Sequence, residues 1–246
     1  MNGRHLEMET DELFRRIRKK YRFFRRTRTF EKGYRPLVPL NSSKPIEDYT
    51  DEERRVYYNW FMENLAPRCE YLRRLVAEDA AVTITSLDYS FESLRPLWKW
   101  FLSRARILVK RNLPPYEYAT KYGTENEYKG EKVSNKFSMR FDIKTEMMIR
   151  DIGMYVGMVF TKTYPVQIVW ICQREKDVHA NLPVLAGFEQ KIDTSGAPLK
   201  KAFHPKFEPI WMTGVQAAKM FEDNAKPDDL YNMCMLWSQW ISNRSM

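Results

Sequence analysis

Residues 137–172 read FSMRFDIKTEMMIRDIGMYVGMVFTKTYPVQIVWIC. The first part, Phe137–Thr161, predicts a helix. Phe141, Met148, Ile152, Tyr155, Val156 and Val159 recur mostly at steps of three and four or their sum. The last part, Val166–Cys172, is rich in β-branched and aromatic residues and predicts a strand. Gly153 and Gly157 lie four apart, on one helix face. Each glycine costs about 1 kcal/mol in a helix interior, so the pair predicts close approach of another helix or sheet. A backbone-lined binding site is the alternative. The charged flanks exclude a membrane dimerisation motif.

Working outward, Pro183–Phe188 predicts a second strand, with a polar turn around Arg174–Asp177 between the two. Residues 190–206 hold Gly196, Pro198 and Pro205 and predict a loop. Pro209–Phe221 predicts a helix. A last helix follows Pro227 with Asp228 and Asp229 as an acidic cap, carrying Leu230, Met233, Trp237, Trp240 and Ile241. Upstream, Thr50-Asp51-Glu52-Glu53 spells a capping box. Val56, Trp60, Phe61 and Leu65 continue it as an amphipathic helix, which Pro67 is expected to break or restart before Cys69, Leu72, Leu75 and Val76. Ala81–Leu87 predicts a strand, and Asp88-Tyr89-Ser90 a turn. The helix after it carries Leu94, Leu97, Trp98, Phe101 and Leu108, with Pro96 confined to its first turn. Residues 112–136 are polar and predict a loop or insertion. The whole predicts an α+β fold: a small, mostly antiparallel sheet flanked by helices.

The charge is concentrated in one arm. The chain carries 41 Lys and Arg against 32 Asp and Glu, a net +9. Leu13–Arg28 holds Arg15, Arg16, Arg18, Lys19, Lys20, Arg22, Arg25, Arg26 and Arg28 and no acid, so the rest is formally neutral. Leu13, Phe14, Ile17, Tyr21 and Phe24 fall at helical spacing, which predicts a basic amphipathic helix over 11–26. Its arginines suit nucleic-acid phosphates, an anionic membrane surface or an acidic protein patch. The stripe could equally dock on the protein's own core. Domains are expected as a basic helical arm (1–28), a Pro-rich linker (29–49) and a single α+β domain (50–246).

Several chemistries fail at the level of spacing. His5, His179 and His204 are isolated, so no metal site is expected. No glycine-rich phosphate loop and no nucleophile elbow occur, and no cofactor is expected. Cys69, Cys172 and Cys234 are far apart and odd in number, which predicts buried thiols in a reducing, cytoplasmic compartment. The longest run free of charge, Leu230–Asn243, is too short for a membrane span, and no apolar leader follows the charged N-terminus. Asp142, Glu146 and Asp151 read as a solvated acidic edge balanced by Arg140, Lys144 and Arg150. Asp88 reads as a turn former. An acid pair near Asp88 and Asp142 is the enzymatic alternative.

Two local patterns resemble a family of small, poorly characterised bacterial proteins. One is Leu87-Asp88-Tyr89-Ser90-Phe91-Glu92-Ser93-Leu94, similar to L-D-x-S-x-x-S-L. The other is Gly153-Met154-Tyr155-Val156-Gly157, followed by Lys162 and Trp170. The resemblance spans about residues 80–190. It implies a helix presenting a Gly-x-Tyr-x-Gly face to a small antiparallel sheet. It implies no catalytic activity, and some members resemble immunity or defence-associated proteins. Met158 stands where that family commonly has glutamate. The expected function is therefore a non-enzymatic binding protein, immunity- or inhibitor-like, whose partner is another protein. Nucleic-acid association through the basic arm is the alternative.

Overall fold

Thr50 starts the first long helix, α1 (Asp51–Ala77). Its hydroxyl accepts the Glu53 amide, and the Glu53 carboxylate accepts the Thr50 amide at 2.8 Å, so the expected capping box forms. In this computed structural model the described residues are 34, 37, 46–79, 87–110, 138–174, 181–192 and 197–241. The basic helix expected over 11–26, most of the Pro-rich stretch, the strand expected over 81–87 except Leu87, and the 112–136 insertion lie outside them. The chain divides into two units, Met1–Lys44 and Pro45–Met246. All elements below belong to the second.

Pro67 does not break α1, contrary to the sequence expectation. Proline removes one amide and frees the carbonyl four residues back. Here that carbonyl belongs to Glu63, and both Glu63 and Pro67 are exposed. Water can satisfy the freed oxygen, so the helix continues.

Next come α2 (Leu94–Arg104) and β1 (Ile107–Lys110). Pro96 falls in the first turn of α2, where it is tolerated. The helix ends before Leu108, which belongs to β1 and not to α2 as expected. The central helix is α3 (Ile143–Thr163). The expected helical start at Phe137 is wrong. Residues Ser138–Phe141 form β2, antiparallel to β1, and Asp142 then caps α3 by accepting the Thr145 amide at 2.7 Å. A strong N-cap at that point fixes the switch from strand to helix.

The remaining strands are β3 (Val169–Cys172), β4 (Pro183–Ala186), β5 (Gln190–Ile192) and β6 (Pro198–Phe203). β3 pairs antiparallel with β4, as expected, and β5 with β6. Residues 190–206 were expected as loop; instead most form this second hairpin. The fold is α+β as expected; among the described residues the strands pair as three antiparallel two-stranded ribbons. The chain closes with α4 (Pro209–Ala218), a 3-10 turn (Lys219–Glu222) and α5 (Asp229–Ser238). Asp228 precedes α5 without capping it through its side chain; it bonds Arg95 instead.

α3 is buried nearly all round from Asp151 to Phe160 because α1, α2 and α4 all pack on it. Phe160, Phe188, Phe207 and Trp237 form a contiguous aromatic cluster with contacting centroids 4.7–6.0 Å apart.

Candidate functional site

The Asp88 turn and α3 meet at Tyr155. Asp88 accepts the Ser90 amide at 2.9 Å and the Ser90 hydroxyl at 2.6 Å. Those two bonds, the hydroxyl first, hold its carboxyl below the usual carboxylate range. Ser90 Oγ in turn accepts the Ser93 amide, and Ser93 Oγ donates to the Ser90 carbonyl at 2.6 Å. With that hydrogen committed, Ser93 Oγ must accept from the Tyr155 hydroxyl, 2.8 Å away. Tyr155 Oη also accepts the Tyr89 amide at 2.9 Å. Every hydroxyl hydrogen of Ser90, Ser93 and Tyr155 is thus engaged inside the network. Burial raises the Tyr155 phenol to about 12, which keeps it a neutral donor.

Tyr89 sits at φ 66°, the left-handed region that a bulky residue seldom adopts. The conformation costs about 1–3 kcal/mol and needs offsetting contacts. Its ring stacks on Tyr155 at 4.9 Å, and its hydroxyl donates to Glu70 at 2.7 Å. The Lys162 ammonium lies 3.9 Å from the ring centre, and the Arg73 guanidinium 5.1 Å. Desolvation, then the bond to Glu70, pushes the Tyr89 phenol up, while Tyr89 and Arg73 hold Glu70 down.

The glycine face is closed. A Cβ on Gly153 would meet Ile210 Cα of α4 at 2.5 Å, and one on Gly157 would meet the Trp170 ring of β3 at 2.0 Å. Close approach is therefore the reason for the pair. The resemblance places one Gly-x-Tyr-x-Gly face against a sheet; here Gly157 meets the β3–β4 ribbon, Gly153 meets a helix, and Tyr155 meets the Asp88 turn.

Asp142 and Asp88 do not form an acid pair. Asp142 caps α3 at one end, and Tyr155, which holds the Asp88 turn, lies roughly 20 Å further along the axis. Asp151, expected on a solvated edge, is 1% exposed. It binds Arg68 of α1 through two bonds, Nε to Oδ1 at 2.6 Å and Nη2 to Oδ2 at 2.7 Å. Arg68 also lies 4.4 Å over the Tyr71 ring. Sequence reasoning missed Arg68 altogether. Its signal was a basic residue on the apolar stripe beside Cys69. Glu208, also missed, is buried at the start of α4, accepting the Trp211 amide. Desolvation raises its carboxyl to about 8, against the backbone bonds and Arg150 that favour the anion.

Among the described residues no group of three or more His, Cys, Asp or Glu could hold a metal ion. Cys69, Cys172 and Cys234 are free thiols; Cys69 and Cys234 are buried as expected, whereas Cys172 is half-buried. Burial raises all three pKa values, so none is activated.

One groove, of about 780 Å³, opens between the N-terminal turns of α1 and β3. Asp51, Arg54, Arg55 and Tyr58 form one wall; Trp170, Cys172, Arg174 and Lys206 form the other. The Tyr58 hydroxyl donates to the Trp170 carbonyl at 2.8 Å across it. Nothing in the sequence pattern marks this groove, because its walls lie more than a hundred residues apart. Ser90, Gly153, Tyr155 and Gly157 do not line it; of the motif residues only Trp170 does. The nine basic residues from Arg15 to Arg28 lie outside the described residues. No family model, curated protein or solved structure matches the chain, so its own geometry is what bears on function.

Proposed function

We propose that the chain is a non-enzymatic binding protein that acts by protein–protein interaction in the cytoplasm, immunity- or inhibitor-like as its two motifs suggest. The observation that carries this reading is the closed network at Tyr155. The hydroxyls and carboxylate of the recognisable motif are spent on one another, which suits a structural clasp. The open surface lies elsewhere, in the groove beside β3, and is lined by strand edge and ion pairs. The free thiols are consistent with a reducing compartment. Among the described residues no helix is long and apolar enough to cross a membrane.

Co-purification of the tagged chain from its native host tests the reading. One protein recovered at fixed stoichiometry, and reconstituted from purified components, is the expected result. Recovery of RNA or DNA in its place favours the basic arm as the working part. That second reading rests on nine cations and no acid in Leu13–Arg28. It requires affinity to fall steeply with salt and to vanish when Arg15, Arg16, Arg18 and Lys19 become alanine.

A further inference from the structure

Phe203 of β6 is 58% exposed. Among the described residues it is the one aromatic side chain on the open surface; every other is buried or half-buried. Its strand has no buried face. Pro198, Lys200, Lys201 and Phe203 are exposed, and Leu199 and Ala202 are half-buried. Among the described residues β6 pairs with β5 alone, Gln190 lying opposite Phe203. One exposed apolar residue is ordinary by itself. What sets this one apart is the charge beside it.

The stretch Glu189–Phe207 holds four lysines against two acids, Glu189 and Asp193, a net +2. Lys191 pairs with Glu189 at 3.2 Å, and Lys206 is engaged at Gln173, so neither is free charge. Lys200 and Lys201 are different: among the described residues neither makes a hydrogen bond or an ion pair. Strand alternation puts Lys201 and Phe203 on one face, about 7 Å apart along the chain, and Lys200 on the other. A free ammonium thus stands next to an open ring, with a second one on the reverse of the same ribbon.

We propose that the β5–β6 ribbon binds single-stranded nucleic acid, with a base stacked on Phe203 and backbone phosphates held by Lys201 and Lys200. A nucleotide brings a flat ring and an anion in one monomer, the two chemistries this face can take up. An acidic protein surface would neutralise the lysines and leave the ring without a flat partner. This activity is additional to the protein-binding reading, does not depend on it, and uses residues separate from the basic arm.

The test uses the full chain and a fluorescein-labelled oligothymidylate of about twenty nucleotides, with anisotropy read across a salt series. Wild type should bind, and less tightly as salt rises. Lys200→Ala with Lys201→Ala removes two phosphate contacts, so the slope of log affinity against log salt should become shallower by about 1.4. Phe203→Leu keeps an apolar side chain without a π face and should weaken binding about tenfold, whereas Phe203→Trp should bind at least as well as wild type. All three side chains are exposed, so the variants should melt with wild type, which thermal unfolding checks. No binding by wild type, a salt slope unchanged by the lysine pair, or Phe203→Leu binding as wild type does overturns the proposal. An affinity that only the arm variants change assigns the binding to the arm and overturns it too. A protein partner lost from the Lys200, Lys201 variant, with no oligonucleotide bound, overturns it in favour of a protein surface. Failure of the protein-binding reading looks different: no protein co-purifies at fixed stoichiometry, and the oligonucleotide result stands by itself.

Discussion

Tyr155 has one hydroxyl hydrogen and serves two neighbours with that single group. Tyr155→Phe leaves the buried Tyr89 amide without an acceptor and strips support from a left-handed residue. We expect a loss of about 1–3 kcal/mol, the cost of an unsatisfied buried polar group, read by urea unfolding. A loss within experimental error would mean that water or another acceptor replaces the phenol. Glu208 gives a prediction with a pH axis. Its carboxyl titrates at 4.5 in the unfolded chain and at about 8 when buried. The folded state thus holds the proton more tightly. The stability it contributes is fully present below 4.5 and is lost as pH rises through about 8. Unfolding free energy should decline across that window, by at most about 1.4 kcal/mol per pH unit, and Glu208→Gln should flatten the decline. Parallel pH profiles for the two proteins would show that the slope comes from other groups.

At the scale of elements, α3 works as a spacer whose glycines set how near its neighbours come. Gly157→Ala puts a methyl group into the Trp170 ring, which must move. We expect a cost of about 1–3 kcal/mol from overpacking. Trp170→Leu removes the obstacle, so the double variant should lose less than the two single losses added. Strict additivity in thermal or urea unfolding would mean that the ring does not meet the new methyl group. Both glycines were legible in the sequence, because two helix breakers four apart need a reason. Which neighbour each faces was not legible, since Ile210 and Trp170 come from elements distant in the chain.

At the scale of the whole molecule, Arg68 and Asp151 tie α1 to α3 inside the core. Asp151→Ala removes the buried carboxylate that takes two bonds from the Arg68 guanidinium, and we expect a loss of about 3–5 kcal/mol. Arg68→Met with Asp151→Leu removes both charges and should restore most of that stability. Chemical unfolding of the three proteins checks it. A double variant as unstable as the single one would show that the pair also fixes how the helices dock. This pair was invisible in the sequence for a physical reason. A periodic pattern separates apolar from polar residues, so it assigns every charge to solvent. Only the packed structure shows which charges have found each other.

The sequence by itself determined what rests on near neighbours. The Thr50 capping box, the Asp88 turn, the placement of Pro96, the glycine approach, the α+β class and the strands expected over Val166–Cys172 and Pro183–Phe188, which form the shorter β3 and β4, all follow from spacing of a few residues. Where it misled, a local rule met a tertiary circumstance. Pro67 stays in its helix because its turn faces water. Within 190–206, Gln190–Ile192 and Pro198–Phe203 pair despite Pro198. Tertiary structure alone decided the Arg68–Asp151 pair, the burial of Glu208 and the groove beside Cys172. Each joins residues far apart in the chain, and only close packing sets the distance and the desolvation that give such residues their chemistry.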